Sequence, residues 1–271
     1  MPQLPEDYPR ILVVIPQFGK EEYTNACVEA TTLNYGTGYP IEILVVDDGS
    51  PKPYVNPKIN VLRLDENSGF TAASNAGILW GRDRFDYVLL LNNDTLPESG
   101  FLKELVDVME ADETIGIAAS VRRHPNREPE CIELCGSDLI RGYQYFTNQE
   151  KLDAAPPAID CNWIPLCSGL LRMSMVREIG LLNKKFRNHC SDSEYCLRAK
   201  INYWKVMMCM RSVVVHHLSI TTTANNVMVD DDQRLFLEQL AGLDYAKMMV
   251  AMPLDGEAKS YGRLTFEVYT K

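Results

Sequence analysis

The chain has 271 residues, 46% of them hydrophobic, and carries a formal net charge of −10. That length supports one large α/β domain with a C-terminal extension and one site. The acidic balance argues against nucleic-acid or broad anionic-membrane binding, which needs clustered Lys and Arg against phosphate, and suits a cation instead.

Short β-branched runs bounded by turn residues predict strands at 11–16 (ILVVIP), 41–48 (IEILVVDD), 59–64 (INVLRL), 87–94 (YVLLLNND) and 115–120 (IGIAAS). Near 20–34, 70–83 and 98–111, apolar residues recur every three or four positions. Strand and helix patterns thus alternate as in βαβ units, with a mostly parallel sheet covered on both faces. From 121 to 163 the regularity breaks into polar, Pro-bearing chain around a short hairpin, CIELCGSDLIRGYQYF, an excursion of the kind that covers a site. Strand patterns return at 164–173 and 205–217, with a helix pattern over 192–203 between them. A last amphipathic segment, about 230–250, reads as a helix docked through Leu235, Leu237, Leu240, Leu243 and Met248. No stretch approaches the roughly 20 apolar residues of a membrane span, and the first residues lack the order of a signal peptide. A cytoplasmic protein is expected, with peripheral membrane contact left open. The eight cysteines contain no CxxC pair and read as reduced core residues. Cys131 and Cys135, spaced i, i+4, lack the further ligands of a zinc site.

Ligands of an open parallel sheet bind beyond the carboxyl ends of its strands, where strand order reverses. The first strand ends in Pro16-Gln17-Phe18, the second in Asp47-Asp48-Gly49-Ser50, the fourth in Asn92-Asn93-Asp94-Thr95 and the last in His216-His217. Asp47 and Asp48 read either as an Asx turn or as acceptors for a base N–H or a ribose hydroxyl. Asn92 and Asp94 would share a face of an extended segment. They are either a polar turn or oxygen ligands for Mg2+ or Mn2+. His216 and His217 point to opposite faces of a strand, so at most one serves, and a neutral imidazole would complete a site begun by Asp94. Asp192, in Ser191-Asp192-Ser193-Glu194, either caps a helix or is aimed into the cleft as a general base. Asn67-Ser68-Gly69-Phe70 opens a helix with small residues, a start that suits close backbone approach and phosphate. Neither GxGxxG nor GxxxxGK[ST] occurs, which disfavours a Rossmann oxidoreductase and a P-loop NTPase.

Taken in order over residues 11–220, VVIPQFGKEEY, ILVVDDGS, LDENSGFTAASNAG, YVLLLNNDT, CSGLLRMS, CSDSEYCLRA and VVVHHLS resemble glycosyltransferase family 2, with a likeness to its rhamnosyltransferase-type members. The resemblance implies an α/β GT-A fold: a mostly parallel central sheet flanked by helices, with a Rossmann-like nucleotide-binding half at 1–120 and an acceptor and catalytic half at 121–225. Residues 226–271 would follow as a helical extension packed on this 1–225 domain. By position, Pro16, Phe18, Asp47 and Asp48 match the nucleoside-holding part, and Asn75 lies in the stretch lining the donor pocket. Asn92-Asn93-Asp94 matches the DxD-type element, so Asn93 and Asp94 fall at the donor and Asp94 at the metal. Asp192 matches the general base and His216 a histidine near metal and diphosphate.

The implied reaction is inverting transfer of a hexosyl or rhamnosyl group from a UDP- or dTDP-linked sugar to a hydroxyl of a glycan or other acceptor, with Mn2+ or Mg2+ on the diphosphate. Two positions depart from the pattern. Asn92 stands where an acid is common, which throws metal affinity onto Asp94 and His216, and Ser191 stands where a Glu is expected, which makes Glu194 the fallback base. A sugar-nucleotide-binding protein without catalysis and a nucleotidyltransferase are the rival readings.

Overall fold

Alternate residues of ILVVIP point to opposite faces of an extended chain, and the computed structural model buries both faces. Leu12 and Val14 pack with Leu44, Val46, Val88 and Leu90 on one side. Ile11, Val13 and Ile15 pack with Ile43, Val45, Leu89 and Leu91 on the other. Each such burial contributes about 1.5–3 kcal/mol, which drives these runs into a sheet covered on both faces. The structure describes residues 8–35, 38–124, 131–135, 144–217, 226–240 and 258–259.

Strand β1 (Ile11–Gln17) runs parallel to β2 (Ile41–Asp47) on one side and β4 (Tyr87–Leu91) on the other, and β3 (Asn60–Arg63) extends the sheet parallel to β2. Helix α2 (Phe70–Gly81) covers the Leu12 face through Ala73 and Ile78. Helices α1 (Glu21–Asn34) and α3 (Phe101–Ala111) cover the Ile11 face through Cys27, Val28, Phe101, Leu102, Leu105, Val106 and Met109. In α3 those buried positions recur at helical spacing, so one stripe meets the sheet.

Beyond β4 the sheet is mixed. β10 (Ser168–Arg172) lies antiparallel between β4 and β6 (Ile115–His124), while β11 (Lys205–His216) runs parallel to β6. The order is β12 (Ala258–Lys259), β8 (Gln144–Thr147), β7 (Cys131–Cys135), β6, β10, β4, β1, β2 and β3, with β11 attached to β6, to β5 (Thr95–Pro97) and to β9 (Ala158–Asp160). The 121–163 excursion is less irregular than its composition suggests. β6 runs on to His124, β7 (Cys131–Cys135) and β8 (Gln144–Thr147) pair antiparallel as the expected hairpin, and α4 (Gln149–Ala154) precedes β9.

The run predicted as one strand at 164–173 stops at Arg172, where α5 (Met173–Ile179) begins. Helix α6 (Ser191–Ile201) packs Tyr195, Cys196 and Ala199 on the Leu12 face. Helix α7 (Asn226–Leu240) docks by Phe236 on Phe186 and Leu197, with Leu235 beside them; Leu243 and Met248 lie outside the described residues. β12 (Ala258–Lys259) pairs with β8. Cys27, Cys161, Cys167, Cys190, Cys196 and Cys209 are free thiols. No described helix is long and apolar enough to cross a membrane.

Candidate active site

β1 pairs with β4 only from Ile11↔Tyr87 to Val14↔Leu90, whereas its pairing with β2 continues to Gln17↔Asp47. Pro16 falls where β1 has left β4, so its missing N–H costs no bond to that strand. The two strands part at their carboxyl ends, and strand order reverses at β1, which makes this the ligand crevice of an open sheet.

At the end of β4, residues 92–95 fold into a turn: the Thr95 N–H donates to Asn92 O at 3.2 Å, and the Thr95 hydroxyl donates to the same oxygen at 2.6 Å. The expected shared face of Asn92 and Asp94 is therefore corrected, since two-residue alternation holds only for extended chain. Asn93 turns to α1, its amide donating to Thr24 Oγ1 at 3.1 Å. β5 then pairs antiparallel with β11, setting Thr95 opposite His216. β11 reaches this register through an irregularity between Cys209 and Val213, which bends a strand. Ser212, inside it, donates to Phe101 O at 2.8 Å.

This pairing brings the two ends together. The His217 N–H donates to Asp94 O at 3.0 Å, and His216 Nε2 stands 3.2 Å from Asp94 Oδ1. Both ring nitrogens of His216 are buried without a hydrogen-bond partner, so the contact is close enough for a hydrogen bond but lacks its angle. A buried imidazole left so, facing a carboxylate, fits the donor set of one hard cation. Ligands at right angles, each about 2.1 Å from an ion, stand about 3 Å apart. No group of three or more His, Cys, Asp or Glu able to hold a metal occurs among the described residues, so most positions around such an ion would fall to other ligands.

On the other side of β1, the two carboxylates at the end of β2 are committed to groups of the chain itself. Asp47 is fully buried and accepts from the N–H groups of Ser50 and Tyr54, each at 3.0 Å, and from the Arg63 guanidinium. Burial pushes its carboxyl up, but these hydrogen bonds outweigh it and hold the group below the usual range. Asp48 accepts from the N–H groups of Ser68 and Gly69, each at 2.8 Å; here burial prevails and the carboxyl is raised. Gly49, at φ 66, lies so close to Glu66 that a Cβ would meet its backbone at 2.4 Å. Phe18, beyond the end of β1, is 39% exposed.

Two donor-side expectations change. The N-terminus of α2 has its N–H groups taken by protein oxygens: Ser68 and Gly69 by Asp48, Phe70 by Asn188 Oδ1 at 3.0 Å, and Thr71 by Arg187 O at 3.1 Å. Gly69 is small for Arg187 rather than for a ligand, since a Cβ there would meet Arg187 Cγ at 2.6 Å. These four amides are therefore not free for a phosphate. Asn75 is buried and spends its amide on Leu182, donating to Leu182 O at 2.8 Å and accepting from Leu182 N–H at 3.0 Å, so it ties α2 to the chain after α5.

Asp192 lies in the first turn of α6, whose cap, Cys190, makes no side-chain capping bond and adopts φ 58. It accepts from the Ser193 N–H at 2.8 Å. Burial pushes its carboxyl up from the ordinary value, against the Ser193 bond and the charges of Arg122 and His189. Glu194, by contrast, is gripped by Arg198 through two bonds, Nε to Oε1 at 3.0 Å and Nη2 to Oε2 at 2.6 Å. Arg198 in turn donates to Ile179 O and Leu181 O, so Glu194 braces a loop.

A family model described as Glycosyl transferase family 2 matches residues 12–170. The chain belongs to glycosyl transferase family 2. Among relatives of this family 2 chain, the O-antigen biosynthesis protein RfbC of Myxococcus xanthus is 21% identical over 236 residues, 81% of this chain and 18% of that protein. An uncharacterised Mycobacterium tuberculosis protein is 32% identical over 98 residues, 36% of this chain and 35% of that protein. The chain thus spans about a third or less of the length of these curated relatives. GalNAc-T7, crystallised with UDP, GalNAc and Mn2+, superposes with a TM-score of 0.68 at 14% identity, covering 86% of this chain and 48% of that one. Residues 1–349 of S. aureus TarS give a TM-score of 0.57 at 14% identity, covering 88% of this chain and 68% of that one. The family 2 chain has the GT-A fold of these structures.

Arg122, in the basic run Arg122-Arg123, and Asp232, at the end of an acidic run, carry no local signal of a role, because the groups they face, Asp192 and the 187–189 turn, lie far along the chain. A cavity of about 450 Å³ lined by Tyr8, Asp86, Glu110, Arg172 and Arg177 opens at the other end of the sheet, beside the first residue of β4. Its polar groups include Asp86, which accepts from Arg10 N–H, and Arg172, which donates to Ile115 O.

Proposed function

We propose that the chain transfers a sugar, with inversion, from a nucleoside diphosphate sugar to an acceptor hydroxyl, with Asp94 and His216 holding Mn2+ or Mg2+ and Asp192 as general base. The observation that carries the reading is the 3.2 Å approach of His216 Nε2 to Asp94 Oδ1 at the carboxyl end of β4, with both imidazole nitrogens otherwise unpartnered. When bound, the cation would neutralise charge on the leaving nucleoside diphosphate. His216 would offer it an imidazole nitrogen, and the His217 amide donates to Asp94 O in the turn that carries Asp94.

Asp192 takes the proton from the acceptor hydroxyl as that oxygen attacks the anomeric carbon from the face opposite the diphosphate. Its raised carboxyl suits a base, since a more basic carboxylate takes a proton more readily. One displacement then inverts the centre, with no covalent intermediate. Pro16, exposed Phe18, Asp48 and Asn93 border the donor, while Asp47 and Asn75 hold the loops that shape its pocket. Residues 1–225 make up the catalytic domain, its donor half at 1–120 and its acceptor half at 121–225, and 226–271 form the docked extension.

UDP with Mn2+ is the first donor nucleotide and metal to test, because GalNAc-T7 was crystallised with both. A glycan acceptor is supported by likeness to an O-antigen biosynthesis protein. A dTDP-linked rhamnose is the second donor to test. Calorimetry of UDP and dTDP, with and without Mn2+, together with release of nucleoside diphosphate, tests the reading. Asp94→Ala is expected to lose metal-dependent binding. Asp192→Asn is expected to keep binding while turnover falls by at least ~100-fold, the scale of general-base catalysis. Equal affinity with and without Mn2+ would remove the metal pair, and unchanged turnover in Asp192→Asn would remove the base.

A further inference from the structure

Asp232 lies on α7, 43 to 45 residues along the chain from the turn that leads into α6, yet its carboxylate grips that turn. Oδ1 accepts from the Arg187 N–H at 3.2 Å, and Oδ2 accepts from the N–H groups of Asn188 at 3.1 Å and His189 at 2.9 Å. The group is 5% exposed. Three consecutive backbone donors on one buried charge are a strong, directional hold, because charge-assisted hydrogen bonds gain strength away from water.

The same turn is held from its far side by the donor half. Asn188 Oδ1 and Arg187 O cap Phe70 and Thr71 at the start of α2, and the Arg187 guanidinium donates to both Asn67 O and Asn67 Oδ1 at 2.7 Å. Asp48 takes the two preceding amides of that helix. The turn then passes through left-handed Cys190 at φ 58, and α6 begins with Asp192 in its first turn. A non-glycine residue keeps that conformation only where its surroundings impose it.

We propose that Asp232 is a positioning residue for Asp192: it fixes the 187–190 turn, and with it the start of α6, against the donor half. The proposal rests on the reading of Asp192 as the base. Docking of α7 does not by itself call for a buried charge, because Phe236 already stacks edge-on against Phe186 at 6.3 Å and joins Leu197. A carboxylate is the group that suits three N–H donors and carries no hydrogen of its own. An amide in its place presents an NH2 to at least one of them.

The test compares wild type, Asp232→Asn and Asp232→Glu in four measurements. These are UDP affinity with Mn2+ by calorimetry, donor KM and kcat for nucleotide release from UDP-glucose or dTDP-rhamnose with water as acceptor, thermal midpoint, and amide exchange at residues 187–189. Asp232→Asn is expected to keep UDP affinity and donor KM within about threefold while kcat falls ~10- to 100-fold, as a displacement of about 1 Å produces. Exchange at 187–189 should quicken, and Asp232→Glu, which restores the charge, should recover most of the kcat. Wild-type kcat in Asp232→Asn overturns the proposal, as does a parallel fall of UDP affinity, kcat and thermal midpoint, the mark of a fold-wide role. A wild type that turns over while Asp192→Asn turns over equally well overturns the underlying assignment of the base, a result separate from either.

Discussion

At Asp192, burial and chemistry pull against folding. An acid whose carboxyl is raised in the native state favours that state while protonated; the contribution is full below the ordinary value of 3.8 and is lost as pH rises through the native value. At neutral pH the ionised, half-buried group therefore opposes folding. Asp192→Asn should raise the thermal midpoint at pH 7, and the gain should vanish at pH 3; a variant less stable than wild type at pH 7 would contradict this. The acid limb of kcat should lie above that of an ordinary Asp for the same reason. Glu194→Gln is the opposite case: it breaks a two-bonded pair with Arg198, costs about 1–2 kcal/mol in urea unfolding, and leaves the pH profile of turnover in place. The sequence marked Asp192 and Glu194 as alternatives, and the i, i+4 spacing of Glu194 and Arg198 already hinted at which one is committed elsewhere.

Among the elements, α2 shows most clearly what spacing does and does not reveal. Its small residues are visible in the sequence, and they signal a close approach by something. The partner is the 187–188 turn and not a ligand, and a contact spanning 118 residues cannot be read from a local pattern. Asn75→Ala should lower stability by about 1–3 kcal/mol for each Leu182 backbone group left buried and unpaired, read as a drop in urea midpoint at unchanged slope. An unchanged midpoint would mean that water reaches Leu182. β5 was missed for a related reason. Three residues, Thr95–Pro97, are too few to show alternation, and they become a strand only because β11 bends to meet them.

For the whole molecule, the crevice between the diverging ends of β1 and β4 predicts joint stabilisation by ligand and ion. Two protein groups make an incomplete shell, so UDP and Mn2+ together should raise the thermal midpoint more than the sum of either alone. Saturation at 100 times the dissociation constant adds about 2.7 kcal/mol. Additive shifts would argue against a shared site. The sequence by itself determined the parallel core, because continuous apolar runs must be covered on both faces. It also determined which strand ends carry acids and imidazoles, because polar residues after such runs leave the core. Tertiary structure alone decided which of those groups meet. His216 reaches Asp94 through the β5–β11 register, the α2 amides are consumed by a distant turn, and Asp232 closes on that turn from the C-terminal helix. Each depends on pairing across the chain, which local periodicity does not encode.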